Sequence, residues 1–323
     1  MGISGTRHVR VDCPFRIIVL QLEIWRDSRC RVRDDVVFGL CLPSLVLQTR
    51  ILDMESVTVQ GTEVPMLGLG TYQLRGDACV QTVREAIEMG YRHIDTAEYY
   101  KNQREVGQGI AAADVDRKEI FLTTKVWRSN LAHDDVLQSV RESLDKLGMD
   151  TVDLLLIHWP SQSVPVGETL AAMEQLQAEG KVRHIGVSNF SVEQLREAMQ
   201  VAESPVLTNQ VKYHPFHSQA ELVEFCIEHD VLLTAYSPLA KGDVVGNETL
   251  ATIGERYGKS AAQVALRWLL QQEMVAAIPK AASRAHLEEN LAVFDFELTN
   301  AEMERIFELQ NGLITALRDR LGL

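Results

Sequence analysis

Four side chains in this sequence, Asp95, Tyr100, Lys125 and His158, are of the types that together move a proton. In the stretch GYRHIDTAEYYKNQ, residues 90–103, Arg92-His93-Ile94-Asp95 reads as a strand following a helix stopped by Gly90. Alternation along a strand puts His93 and Asp95 on one face and Ile94 on the other. Asp95 then ends the strand, and Tyr100 lies five residues on, close enough for chain reversal to bring phenol and carboxylate into one pocket. Lys125 and His158 each close a later apolar or β-branched run, FLTTK and DLLLIH. Taken singly, Lys125 is ordinarily a surface ammonium, His158 a capped core histidine, Asp95 a helix N-cap and a Tyr near an Asp a surface pair. Their common position at strand ends is what points to chemistry.

The chemistry would be proton delivery. An ammonium beside a phenol favours phenolate, so Lys125 is expected to lower the Tyr100 pKa from its usual ~10 toward working pH. Asp95 would pair with Lys125 and keep it charged and aimed. Tyr100 would act as general acid on a substrate oxygen, with His158 orienting or polarising that carbonyl. This set lacks a nucleophile or a metal, so the electrons must come from a cofactor.

The elements that position these residues alternate. From Met54 onward a small hairpin, Val57–Val59 and Val64–Met66 about Gly61, is followed by eight strand-like runs: 68–71, 92–95, 120–125, 152–158, 184–188, 207–211, 232–237 and 275–280. Helical patterns separate them, with Val136, Val140, Leu144 and Leu147 on one stripe. Capping boxes are expected at Ser191/Gln194, Ser218/Glu221, Ser260/Gln263 and Thr299/Glu302, and Gly90, Gly148 and Gly180 follow helix ends. Apolar strands such as LLLI alternating with helices imply a parallel sheet covered outside. Eight such units favour a closed (β/α)8 TIM barrel, an α/β fold, whose chemistry sits at the C-terminal ends of its strands. Gly68-Leu69-Gly70 lacks the third Gly of a Rossmann fingerprint.

At 323 residues the chain accommodates one such barrel and extra pieces. A net charge of -13 argues against nucleic acid or an anionic membrane as the main partner. No apolar run is long enough for a transmembrane helix. Five Cys without metal or paired spacing suggest a reducing compartment, so a cytoplasmic location is expected, and a monomer. Residues 1–53 stand apart, with eight Arg, no Lys and three of the five Cys. They are expected to be an N-terminal extension, upstream sequence admitted by start-site choice, poorly ordered and dispensable. Residues 54–323 are expected to form the barrel domain.

The motifs GYRHIDTAEYYKN, FLTTKVW, DLLLIHWP, GVSNF, NQVKYHP, AYSPL and IPK, in this order between Val57 and Phe296, resemble those of the aldo-keto reductase family, among its members the diketogluconate and methylglyoxal reductases. The resemblance implies a catalytic tetrad of Asp95, Tyr100, Lys125 and His158, and a nicotinamide dinucleotide bound across the barrel mouth. It implies that Ser188, Asn189 and Gln210 hold the carboxamide and that Tyr236 stacks on the nicotinamide ring. Thr71, Ser237 and Leu239 would contact the rest of the cofactor. Lys280, with Ser283 and Arg284, would meet a 2′-phosphate, and Glu289 and Asn290 stand at adenine-side positions. Tyr72, Trp127 and Trp159, with His158, would form the substrate wall.

The sequence departs from that pattern at several places. Gln103 stands where an acid is common after Asn102, Lys212 where an acid is usual after the Gln, Ala281 where Ser is usual, and His286 at the Arg position. Arg binds phosphate bidentately and neutral His does not, so NADPH is expected over NADH by a modest margin, Arg284 substituting. The short loop 240–249 implies an open pocket for small aldehydes, dicarbonyls or keto-sugars. Two other functions fit parts of the sequence. One is a non-catalytic, nicotinamide-sensing regulatory subunit on the same barrel. The other is a metal-dependent hydrolase reading His93, Asp95 and His158 as ligands, which Lys125 opposes by charge.

Overall fold

The computed structural model describes residues 54–321, with side chains through Gln310. Before residue 54 it describes one antiparallel pair, His8–Val9 with Leu20–Gln21. Residues 1–49 and 50–323 are separate units. The expectations for the N-terminal extension fall outside the described residues.

A hairpin, Ser56–Val59 and Thr62–Pro65, opens the barrel unit. Its two turn residues both have positive φ, Gln60 at 50° and Gly61 at 78°, the backbone twist that a two-residue hairpin turn requires. The Gln60 side chain donates to the carbonyls of Val206 and Asp230, at the N-terminal ends of two barrel strands. Val59 and Val64 pack with Leu154, Leu156, Leu207, Leu232 and Ala276. The hairpin therefore closes the end of the barrel opposite the strand C-termini.

Eight parallel strands follow in chain order: β1 Gly68–Gly70, β2 His93–Asp95, β3 Phe121–Val126, β4 Val152–Ile157, β5 Val182–Ser188, β6 Val206–Lys212, β7 Leu232–Tyr236 and β8 Val275–Ile278. Each pairs with its sequence neighbour, and the Gly70 N–H donating to Pro279 O joins the last strand to the first. Gly70 has no room for a side chain at this seam, since a Cβ would lie 2.7 Å from Ile278 O. The eight expected strands match, with boundaries moved by a few residues.

The helices pack their apolar stripes on the outside of this sheet. Val136, Val140, Leu144 and Leu147 are buried on helix His133–Leu147, which ends at Gly148 in the left-handed region. Capping boxes form at Ser191/Gln194 and Ser260/Gln263, and Thr299 and Glu302 bond reciprocally. Ser218 is a correction. Its helix runs Ala220–Glu228 with Gln219 at the N-cap, so the Ser218 hydroxyl accepts only the Ala220 N–H, two residues on. A local serine turn has replaced the box.

Candidate active site

Asp95 ends β2, Lys125 lies on β3, and His158 is the residue after β4. Tyr100 closes the 3-10 turn Glu98–Tyr100 that follows β2. Strand direction brings all four to one mouth. The Lys125 ammonium, sealed from water, donates to Asp95 Oδ1 at 2.5 Å, to Thr96 O at 3.0 Å and to Tyr100 Oη at 3.4 Å. The Tyr100 and His158 rings meet edge to face with centroids 5.7 Å apart.

The electrostatics correct one expectation. Tyr100 is held well above the usual phenol pKa, first by burial and then by the Asp95 carboxylate and the neighbouring Tyr236 and Tyr72. The ammonium does not act on the phenol alone. In the folded site Asp95 balances that charge at shorter range, so burial decides and the phenol keeps its proton. Burial also pushes Lys125 down, against the pull of Asp95. His158 is pushed down to about 3 by burial and by the Lys125 charge, leaving a neutral imidazole whose buried Nδ1 has no hydrogen-bond partner.

A cavity of about 330 Å³ opens above these groups. Asp95, Tyr100, His158, Tyr72, Trp127, Trp159, Ser188, Asn189, Gln210, Tyr236, Ser237 and Lys280 all line it. Ser188 donates to Gln210 O at 2.7 Å, Asn189 Nδ2 to His158 O at 3.0 Å, and Tyr236 Oη to Asn189 Oδ1 at 2.9 Å. Asn189 and Ser237 take positive φ, at 64° and 51°, which turns their side chains at the ends of β5 and β7.

Other expected site residues lie off the lining. Thr71 is fully buried and donates its hydroxyl to Asp95 O, bracing β1 against β2. Leu239 packs on the outer core. Ser283 caps helix Arg284–Leu291 through the His286 N–H, and Arg284 Nε pairs with Glu288 at 3.1 Å. Glu289 accepts from Ser260, and Asn290 is buried beside Tyr91.

Two of the three residues of the metal-ligand reading, His93 and Asp95, are committed elsewhere. His93 Nε2 is 3.1 Å from Thr123 Oγ1, with Nδ1 toward Pro65 O, and the Lys125 ammonium occupies Asp95. Among the described residues no group of three His, Cys, Asp or Glu is placed to hold a metal ion.

Four lining residues escaped sequence reasoning: Gly70, Tyr99, Lys241 and Ile278. Tyr99 stacks on Trp127 at 4.0 Å, a contact its position next to Tyr100 could have suggested. Lys241 enters because its backbone is left-handed at φ 57°, for which the sequence carries no signal. A further unforeseen contact links Gln210 Nε2 to Asp95 Oδ2 at 2.8 Å across the barrel.

Residues 66–311 match the model of the Aldo/keto reductase family. The chain is 42% identical over 247 residues to glyoxal reductase of Bacillus subtilis, covering 76% of this chain and 89% of that protein. It is 37% identical over 249 residues to methylglyoxal reductase DkgB of Escherichia coli O157:H7, covering 76% and 93%. The solved structure of a Bombyx mori aldo-keto reductase in complex with NADP superposes with a TM-score of 0.75 at 33% identity, covering 80% of this chain and 94% of that one. Among the described residues no helix is long and apolar enough to cross a membrane. With a family match over residues 66–311 and relatives 37–42% identical over most of its length, this chain belongs to the aldo/keto reductase family, enzymes that reduce carbonyls with a nicotinamide cofactor.

Proposed function

We propose that this protein reduces small aldehydes, dicarbonyls or keto-sugars to alcohols with NADPH, Tyr100 supplying the proton. The observation that carries the reading is the Tyr100 hydroxyl, 3.4 Å from a buried ammonium and facing a cavity shared with His158. The nicotinamide, when bound, supplies hydride to the carbonyl carbon.

This chain's residues supply the rest. The phenol is protonated at neutral pH, so the proton is in place before reaction. As it passes to the developing alkoxide, the Lys125 N–H aimed at Oη stabilises the phenolate left behind. That interaction strengthens only as charge builds, so it acts on the transition state more than on the ground state. Asp95 keeps the ammonium protonated against burial. The neutral His158 imidazole offers an N–H to the carbonyl oxygen without titrating near pH 7. Tyr72, Trp127 and Trp159 form an apolar wall beside the carbonyl.

The lining suits the nicotinamide end of a dinucleotide. Ser188, Asn189 and Gln210 form a compact polar set for a carboxamide beside the Tyr236 ring, and Lys241 and Lys280 bring two ammonium groups for phosphate charge. Lys280, with the Arg284 terminal nitrogens nearby in sequence, favours a 2′-phosphate over a bare ribose. The glyoxal and methylglyoxal relatives support small dicarbonyls as substrates. The protein is taken to act as a monomer, and the buried free thiols of Cys79 and Cys226 suit a reducing cytoplasm. We assign the barrel domain to residues 54–323, the preceding 53 being dispensable for turnover.

Mixing the protein with NADPH and methylglyoxal while following the nicotinamide absorbance tests this directly. Oxidation of NADPH faster than of NADH is expected. Tight cofactor binding without turnover of any carbonyl would replace catalysis by a sensing role.

A further inference from the structure

Glu98 takes no part in the chemistry above, yet its half-buried carboxylate joins three pieces of chain around the site. It opens the 3-10 turn that carries Tyr99 and Tyr100. Its Oε2 accepts the Trp127 N–H at 3.0 Å and the Ser139 hydroxyl at 2.8 Å, and its Oε1 accepts from Asn130 Nδ2 at 2.5 Å. Ser139 is itself buried on helix His133–Leu147. The turn after β2 is thereby tied to the loop after β3 and to the helix beyond that loop.

Both sides of the tie carry the site. Tyr99 stacks on Trp127 with ring planes 19° apart. Trp127 meets His158 edge-on at 5.1 Å, and His158 meets Tyr100 at 5.7 Å. Aromatic stacking alone permits sliding. A carboxylate accepting three directed donors fixes the register as well.

We infer that Glu98 is a positioning residue for carbonyl reduction: it locks the acid-bearing turn to the aromatic wall, so that Tyr100, His158 and Trp127 address one point in the cavity. This rests on the function proposed above. Misplacing a reacting group by even ~1 Å costs up to ~100-fold in rate. Removing the carboxylate also leaves the Trp127 N–H and the Asn130 amide without their acceptor, so the loop after β3 relaxes outward. The polar set of Ser188, Asn189 and Tyr236 stands on other strands and bonds within itself, so cofactor affinity is untouched.

The test compares Glu98→Ala with Glu98→Gln. A Gln carbonyl still accepts from Trp127 and Ser139, while its amide meets Asn130 after that side chain rotates. The readouts are kcat/KM for methylglyoxal, the NADPH dissociation constant, and the near-ultraviolet circular dichroism of Trp127, taken as the difference from Trp127→Phe. Expected for Glu98→Ala is a fall of about tenfold in kcat/KM, a dissociation constant within about twofold, and loss of the Trp127 signal. Glu98→Gln should recover both. Wild-type kinetics with an intact Trp127 signal in Glu98→Ala would overturn the inference, as would equal loss in both variants together with weakened NADPH binding. If the unaltered protein turned over no carbonyl, the proposed function would fail, whereas the dichroism would still decide whether Glu98 holds Trp127.

Discussion

Lys125 Nζ lies 2.5 Å from Asp95 Oδ1, with both side chains sealed from water. At the Tyr100 hydroxyl, 3.4 Å from the ammonium, these two opposite charges offset each other in part. The phenol therefore holds its proton at rest, and the ammonium matters once that proton begins to leave. Removing one partner of a buried pair is more costly than the pair is worth. Asp95→Asn leaves Lys125 as a buried, uncompensated ammonium that sheds its proton. Denaturant unfolding at pH 7 should show a loss of about 3–5 kcal/mol, and turnover should drop with it. Unchanged stability would mean that the pair is not formed.

Gln210 braces the same carboxylate from the far wall, donating to Asp95 Oδ2 at 2.8 Å. Gln210→Leu strips one hydrogen bond to a charged group, worth about 1.5–3 kcal/mol. The midpoint of urea unfolding should fall accordingly, and NADPH binding should weaken as the carboxamide loses a partner. A variant that changes neither would remove Gln210 from both roles.

Stability should also depend on pH through His158. Its folded pKa, about 3, lies below the ordinary histidine value of 6.5. Below pH 6.5 the unfolded chain binds a proton that the folded chain refuses, so stability falls as pH drops from 6.5 toward 3. Between pH 7 and 5 this one group contributes about 2 kcal/mol of loss. His214, pushed down to about 4 by burial and Lys212, acts in the same direction. Urea unfolding of His158→Gln at pH 7 and pH 5 should show a correspondingly shallower pH dependence than the unaltered protein.

The helix Gln103–Ala112, which follows Tyr100 directly, sits close on its neighbour through Gly107. A Cβ there would overlap the Leu147 carbonyl, which is backbone and cannot step aside. Gly107→Ala should cost about 1–3 kcal/mol, read as a lowered melting temperature. Retention of the full melting temperature would show that the two helices can separate without loss.

The barrel was legible in the sequence because its signals repeat: eight apolar runs, Gly-stopped helices and polar residues at strand ends agree with one another. Asp95, Lys125 and His158 were legible for the same reason, each standing at or beside the end of its own run, with Tyr100 five residues past the first. What was not legible depended on distance. Whether Lys125 acidifies Tyr100 turns on which of Asp95 and the phenol is closer, and residue order is silent on that. The Gln210 bond to Asp95 spans 115 positions and crosses the barrel interior. Lys241 and Glu98 reach the site through local backbone turns whose residues follow no period. Ser218 shows the converse: the serine-to-glutamate spacing was present, and the chain started its helix one residue later than a capping box requires.

The most direct measurement of the central claim is NADPH oxidation by Tyr100→Phe with methylglyoxal, beside NADPH binding by the same variant. The account predicts a fall in turnover of about 100-fold to 10,000-fold, because among the described residues no other group facing the cavity holds a transferable proton next to a buried ammonium, with the dissociation constant for NADPH essentially unchanged. Turnover within a few-fold of the unaltered protein would contradict it.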